Sequence, residues 1–239
     1  YTPFNIGRYW AWYEEFPKNY SDSLERKYLK TDYRIASGMD YTIFDDNVGY
    51  IRCKSFLNNT GAGNLDNILL YMQPCRGLII DIRNNGGGNV NNAEELAARF
   101  TNEELLVGYI QHKTGTGHDD FSSLQPQHLK PGKGIRWQKP VIILTNRSVY
   151  SAANEFVKYM KCCPKAKIVG DKTGGGAGLP FSSELPNGWS IRFSACPMYD
   201  KNKQMTEFGI DPDYKVDISS SDFSRGRDTI IEFARQLLH

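Results

Sequence analysis

No stretch of this 239-residue sequence approaches the roughly 18 consecutive apolar residues of a membrane-spanning helix, so it holds no candidate span of that kind. Cysteine is sparse and odd in number: Cys53, Cys75, Cys162, Cys163 and Cys196, with no C-x-x-C pair. That pattern argues against a zinc site and a dense disulfide framework, and unpaired structural thiols are expected. None of the five sits in an electropositive, glycine-rich setting that would activate it. Charge of one sign is also missing. A net charge of +2 with scattered basic residues offers nothing to a nucleic-acid partner. No group of His, Cys, Asp and Glu has ligand spacing, so neither metal nor cofactor is expected. Histidine is limited to His112, His118, His128 and His239, which leaves few neutral bases. The chain opens at Tyr1 without a signal-peptide pattern and reads as a mature or trimmed form, so targeting does not set the compartment.

What is present suits an ordinary globular domain. Hydrophobic residues make up 40% and charged residues 23% of the chain, long enough for one substantial core and a small appendage. The 14 Tyr, 12 Phe and 4 Trp read as core and rim packing. Residues 1 to about 30, with Tyr9, Trp10, Trp12, Tyr13 and Phe16, have the spacing of an amphipathic helix. Tyr41 to Phe44 turns at Asp45-Asp46-Asn47 into a strand at Val48 to Ile51. Asn58 to Gly63 is loop chemistry, and a helix is expected over Leu65 to Met72.

Three units then repeat one grammar. Gly77-Leu-Ile-Ile-Asp81, Val141-Ile-Ile-Leu-Thr145 and Lys167-Ile-Val-Gly170 are short apolar runs suited to strands buried on both faces. The first breaks at Asn84-Asn-Gly-Gly-Gly88 and leads to helical spacing from Ala93 to Phe100. The second leads to a helix over Ala152 to Met160, and the third to Thr173-Gly-Gly-Gly-Ala-Gly178. This alternation predicts an α/β fold with a mainly parallel sheet. Residues 113 to 134 read as a long surface loop. A hairpin is expected across Pro186-Asn-Gly188 with Trp189 to Phe193 as its second strand, and Asp228 to Leu238 closes the chain as a helix. The predicted organisation is an N-terminal extension over residues 1–45 and a core over 46–239.

Three places invite chemistry. Ser151 follows a buried strand and starts a helix, so its hydroxyl reads either as an N-cap or as a nucleophile beside unengaged backbone N–H groups. The G-x-S-x-G elbow is absent, which disfavours an ordinary α/β-hydrolase. Gly86-Gly-Gly88 and Gly174-Gly-Gly176 let backbone approach a ligand, yet neither completes a P-loop or a dinucleotide fingerprint. Glu207 reads as a salt-bridge partner or as part of a site. His118, in Thr114-Gly-Thr-Gly-His-Asp-Asp-Phe121, reads as a solvated loop residue or as a base that the loop carries to Ser151, with Glu207 or Asp119 orienting it.

Taken in order, Asp81-Ile-Arg-Asn-Asn-Gly-Gly-Gly88, Thr145-Asn-Arg-Ser-Val-Tyr-Ser151-Ala-Ala153, Gly170-Asp-Lys-Thr-Gly-Gly-Gly-Ala177 and Glu207-Phe-Gly-Ile-Asp-Pro-Asp213 resemble the C-terminal-processing, or tail-specific, serine peptidases. The resemblance spans roughly residues 48 to 216 and is nearest to the branch of tricorn-core and interphotoreceptor retinoid-binding domains. It implies a crotonase/ClpP-like fold with flanking helices and cleavage of peptide bonds in unstructured or C-terminal segments. It also implies Ser151 as nucleophile, the N–H groups of Ala152 and of Gly87 or Gly88 as oxyanion hole, and Glu207 with His118 as the remaining catalytic candidates. The strand Ile191 to Ser194 falls where such proteins receive substrate by β-augmentation. The implied partner is a polypeptide substrate, with a homo-oligomer compatible and an extracytoplasmic location expected. Two family positions differ. Gly176 stands where one branch has a lysine base, and Arg52 of Gly49-Tyr-Ile-Arg52 stands where the other has a histidine; an arginine takes no proton at neutral pH. The segment ahead of Gly49 is too short for the PDZ module typical of such proteins. An inactive relative binding peptides or small apolar ligands, and a thioester-processing enzyme of the same fold, remain the other readings of these motifs.

Overall fold

The computed structural model describes residues 16–239. Helix α1 (Asp22–Leu29) begins at Ser21, whose hydroxyl accepts from the Leu24 N–H. Tyr9, Trp10, Trp12 and Tyr13, the aromatic part of the expected N-terminal helix, lie outside the described residues.

A seven-stranded sheet organises the chain. It contains β1 (Arg34–Ala36), β2 (Met39–Ile43), β3 (Val48–Cys53), β4 (Gly77–Asp81), β7 (Val141–Thr145), β8 (Ala166–Gly170) and β12 (Tyr214–Lys215), in that spatial order. β1, β2 and β3 pair antiparallel, and every junction from β3 to β12 is parallel. The turn at Asp45–Asn47 joins β2 to β3, two strands of one sheet, so the boundary expected between residues 45 and 46 falls inside a hairpin.

Alternation along the central strands explains why apolar runs form them. Leu78 and Ile80 of β4, with Val141 and Ile143 of β7, face a core built on α2 (Ala62–Met72), α3 (Val90–Ala97) and α4 (Ala152–Met160). Ile79, Ile142 and Leu144 face the other way, onto Leu29 of α1 and Ile230, Ile231 and Ala234 of α6 (Thr229–Leu237). A strand covered on both faces has no reason to alternate polar with apolar. A one-turn helix, α5 (Ser220–Ser224), precedes α6.

Two smaller sheets complete the fold. β5 (Leu105–Ile110) lies between β6 (Gln125–Leu129) and β11 (Met198–Tyr199), and β9 (Phe181–Glu184) pairs with β10 (Ser190–Phe193) as the expected hairpin. The expectation of an unbroken loop over residues 113–134 is corrected by β6. Its sequence, Gln-Pro-Gln-His-Leu, is a polar edge strand that only its last residue buries, and Pro126 is tolerated because an edge leaves an N–H position free. All five cysteines are unpaired. Burial pushes the Cys53 and Cys163 thiols up to about 12, so neither supplies a thiolate near neutrality.

Candidate active site

Ser151 is held in a conformation that side-chain-bearing residues rarely adopt, with φ 56° and ψ −124°, at the N-cap of α4. Its hydroxyl makes no capping hydrogen bond, which removes the simplest structural reason for a serine there. Strain of this kind costs roughly 1–3 kcal/mol and persists only where the surroundings over-determine it. Here they do. The Ser151 N–H donates to the Gly175 carbonyl at 2.8 Å, the Tyr150 N–H to Asn85 at 3.0 Å, and the Gly174 N–H to Val149 at 2.7 Å. The fully buried Asn146 ties the turn from behind. Its Oδ1 accepts from the N–H groups of Asn84 and Ser148, and its Nδ2 donates to Asn84 Oδ1 at 2.7 Å and to the Lys18 carbonyl at 2.9 Å.

The loop after β4 closes over this turn. Asn85 Nδ2 donates to the Cys53 carbonyl at 3.0 Å, and Asn85 Oδ1 accepts the Gly87 N–H at 2.9 Å. Gly87 and Gly88 have φ of 100° and 141°. A Cβ on Gly87 would stand 2.8 Å from Ser151 Cβ and 2.9 Å from the Ala152 nitrogen, so glycine is required both for conformation and for the approach to the serine. Of the two glycines expected to offer an N–H, Gly87 has given its own to Asn85. The N–H groups of Gly88 and Ala152 have no acceptor among the described residues, and Ala152 opens a helix whose first N–H groups lack intrahelical partners.

The second glycine loop forms the adjacent wall. Gly175 approaches Glu207 so closely that a Cβ would lie 2.0 Å from the Glu207 carbonyl oxygen, and the same carbonyl accepts the Gly176 N–H at 2.9 Å. A Cβ on Gly176 would collide with the Tyr150 ring. The Glu207 carboxylate accepts from Ser194 Oγ at 3.2 Å, and burial raises its pKa against that hydrogen bond. The resulting cleft brings Ser151, Ala152 and Gly88 together with Glu155, Arg192 and Met198.

His118 is not among the residues lining this cleft. Its side chain is 97% exposed, stands 2.8 Å from Asp119, and borders a separate pocket with Phe121, Phe181 and Phe193. Arg52 is a buried structural cation: its Nε meets Glu25 Oε2, and its guanidinium donates to the Asp81 carbonyl at 3.1 Å. Burial works against that charge, but Asp81, Tyr50 and Glu25 outweigh it and raise the pKa above the ordinary value. Two cleft residues escaped the motif reading. Glu155 was signalled by its spacing, one helical turn after Ser151. Arg192 had no signal, because only the hairpin's placement brings it to the cleft. Among the described residues, no group of three or more His, Cys, Asp and Glu could hold a metal ion.

A serine on a strained strand-to-helix turn, with unengaged N–H groups beside it, is an arrangement able to attack a carbonyl carbon and stabilise the resulting oxyanion. The model of peptidase family S41 matches residues 47–216, and the chain belongs to that family. It is 52% identical to a candidate peptidase from Parabacteroides merdae of known crystal structure, with a TM-score of 0.93 over 100% of this chain and 76% of that one. It is 31% identical over 150 residues to a CtpA-like serine protease of Staphylococcus epidermidis, covering 62% of this chain and 29% of that protein. It is 22% identical over 176 residues to the carboxy-terminal processing protease CtpA of Bacillus subtilis, covering 73% and 36%. The chain thus spans about a third of the length of these curated relatives.

Proposed function

We propose that this chain is the catalytic portion of a serine endopeptidase that cuts unstructured or C-terminal polypeptide segments through an acyl-enzyme at Ser151. The observation that carries the reading is the strained Ser151, with its hydroxyl free of capping and its backbone fixed from three loops. In this mechanism Ser151 Oγ attacks the peptide carbonyl, and the N–H groups of Gly88 and Ala152 receive the developing oxyanion. Gly87 serves by letting the loop close onto the serine. Glu207 braces the 175–176 backbone and holds Ser194 at the hairpin's edge. An extended substrate would lie along β10, which among the described residues pairs with β9 alone, with Arg192 at the cleft. The parallel run β3-β4-β7-β8 with helices on both faces supports a crotonase/ClpP-like scaffold, and the names of the curated relatives support the substrate class.

Fluorophosphonate labelling tests the reading. Label confined to Ser151, lost in Ser151→Ala together with cleavage of an unfolded protein substrate such as casein, is expected. A folded wild-type protein that takes no label at Ser151 would sink it.

A further inference from the structure

The family positions for a base are filled by Gly176 and Arg52, and His118 lies elsewhere, so the proton of Ser151 needs another acceptor. Among the described residues, two ionisable side chains line the Ser151 cleft, Glu155 and Arg192. The guanidinium stays charged at neutral pH, which leaves Glu155 as the one proton acceptor there among the described residues.

Its placement follows from helix geometry. Glu155 is one turn beyond Ser151 on α4, and its N–H donates to the Ser151 carbonyl at 3.1 Å. Side chains on a helix lean toward its N-terminus, so a residue at i+4 is laid back over position i. Glu155 is 3% exposed, and neither of its carboxylate oxygens receives a hydrogen bond from the described residues. Lys158, a further turn along, sets its ammonium 2.5 Å from Oε2 as an ion pair, off the direction of a hydrogen bond, and donates instead to Gln127 Oε1 at 2.9 Å. Both side chains are almost fully enclosed. Tyr159, on the same helix, is the other titratable neighbour of Glu155, and Tyr159 is in turn approached by Glu94 of α3. Buried carboxylates with a purely structural role complete their hydrogen bonds. One that lines a cleft with its hydrogen bonds uncommitted is equipped to take up a proton.

We propose that Glu155 is the general base and acid that serves Ser151, with Lys158 as its positioning residue. As the bond from Ser151 Oγ to the carbonyl carbon forms, the Oγ proton passes to Glu155. The same proton is delivered to the leaving nitrogen as the C–N bond breaks, giving a neutral amine and the acyl-enzyme. Glu155 then takes a proton from the water whose oxygen attacks the acyl carbon. That proton returns to Ser151 Oγ as the ester bond breaks, restoring both residues. Lys158 balances the carboxylate's charge and carries no proton in the cycle. The inference rests on Ser151 being the nucleophile.

The test follows the rate of fluorophosphonate labelling at Ser151 and the rate of peptide hydrolysis in parallel. Glu155→Gln is expected to slow both by about 10²–10⁴-fold, the usual worth of general acid–base catalysis. Because a lone buried ammonium can unfold a protein, Glu155→Gln combined with Lys158→Met is the second variant, uncharged at both positions, and it should be equally slow while folded. Glu155→Ala should regain part of its hydrolysis rate in added sodium formate, whose carboxylate fits the vacated space; a merely structural role predicts no such rescue. Near wild-type rates in Glu155→Gln or in the double variant overturn the proposal. Wild-type protein that takes no label at Ser151 overturns the nucleophile reading beneath it.

Discussion

The two sides of the Ser151 cleft are built on opposite plans. On one side, the turn of Ser151 and the glycine loop after β4 are locked by buried side chains, chiefly Asn146 and Asn85, whose hydrogen bonds go mostly to backbone groups, with one from Asn146 to the Asn84 side chain and one from Asn85 to Cys53 Sγ. Behind them, Arg83 is wholly enclosed between Asp81 and Asp228. On the other side, every residue of β9 and β10 is exposed. The Gly178 carbonyl, which accepts from Ala195 and Cys196, closes the base of that hairpin, and Phe181 packs on Phe193 at 4.0 Å between ring centroids. Fixed geometry is concentrated where a reacting atom must sit within a fraction of an ångström. The wall along which the proposed function lays the polypeptide is a thin, exposed hairpin.

If this division is real, damage to the two sides should read differently. The largest effect is expected behind the locked side: Arg83→Met leaves Asp81 and Asp228 buried without their shared cation and should remove about 3–5 kcal/mol of stability by urea unfolding. The same variant should blunt the acid response. Burial pushes the Asp81 carboxyl up, but Arg83 and Arg52 outweigh it and hold its pKa below the ordinary value. Its stabilising contribution is therefore full above the unfolded value of about 3.9 and is lost as pH falls through the lowered folded value. Loss of stability below about pH 4 should thus be steeper in the wild type than in Arg83→Met. Next comes Asn146→Ala, which removes four hydrogen bonds at the Ser151 turn. About 2–4 kcal/mol of stability and most of the labelling of Ser151 should go with it. The smallest structural effect belongs to the hairpin. Phe181→Ala should change stability by less than about 0.5 kcal/mol and raise KM several-fold with kcat nearly unchanged, the mark of lost uniform binding. A fall in kcat equal to that of Asn146→Ala would show the hairpin to be part of the locked side.

This division also decided what could be read from sequence. β4, β7 and β8 were legible almost to the residue, because each is a short apolar run buried in the middle of the sheet, and α4 because the Ser151 turn marks its start. β6 was not, since an edge strand reading Gln-Pro-Gln-His-Leu buries too little to leave a pattern. Within the site, Ser151 and the glycines carried their own local signal. The spending of the Gly87 N–H on Asn85, and the freedom of the one at Gly88, depend on a side chain folding back two residues, which spacing does not specify. His118 looked suitable for its glycine-flanked loop, yet where that loop rests is a tertiary matter. Glu155 stood in plain view beside the serine and lacked only its burial, which no periodicity in a nine-residue helix assigns to one carboxylate.

The Ser151 N–H ends on Gly175, the Tyr150 N–H on Asn85, and the Gly87 carbonyl accepts from Phe56. The serine turn is thereby tied to three other segments that are far apart in the sequence. Transplanting the serine turn alone into another sheet protein would move the letters without the posture, so this arrangement is inherited whole or not at all. Silencing it is the easier evolutionary step, since exchange of the hydroxyl leaves every one of those bonds standing. Relatives in which another residue replaces this serine should therefore keep the surrounding loops and remain well folded.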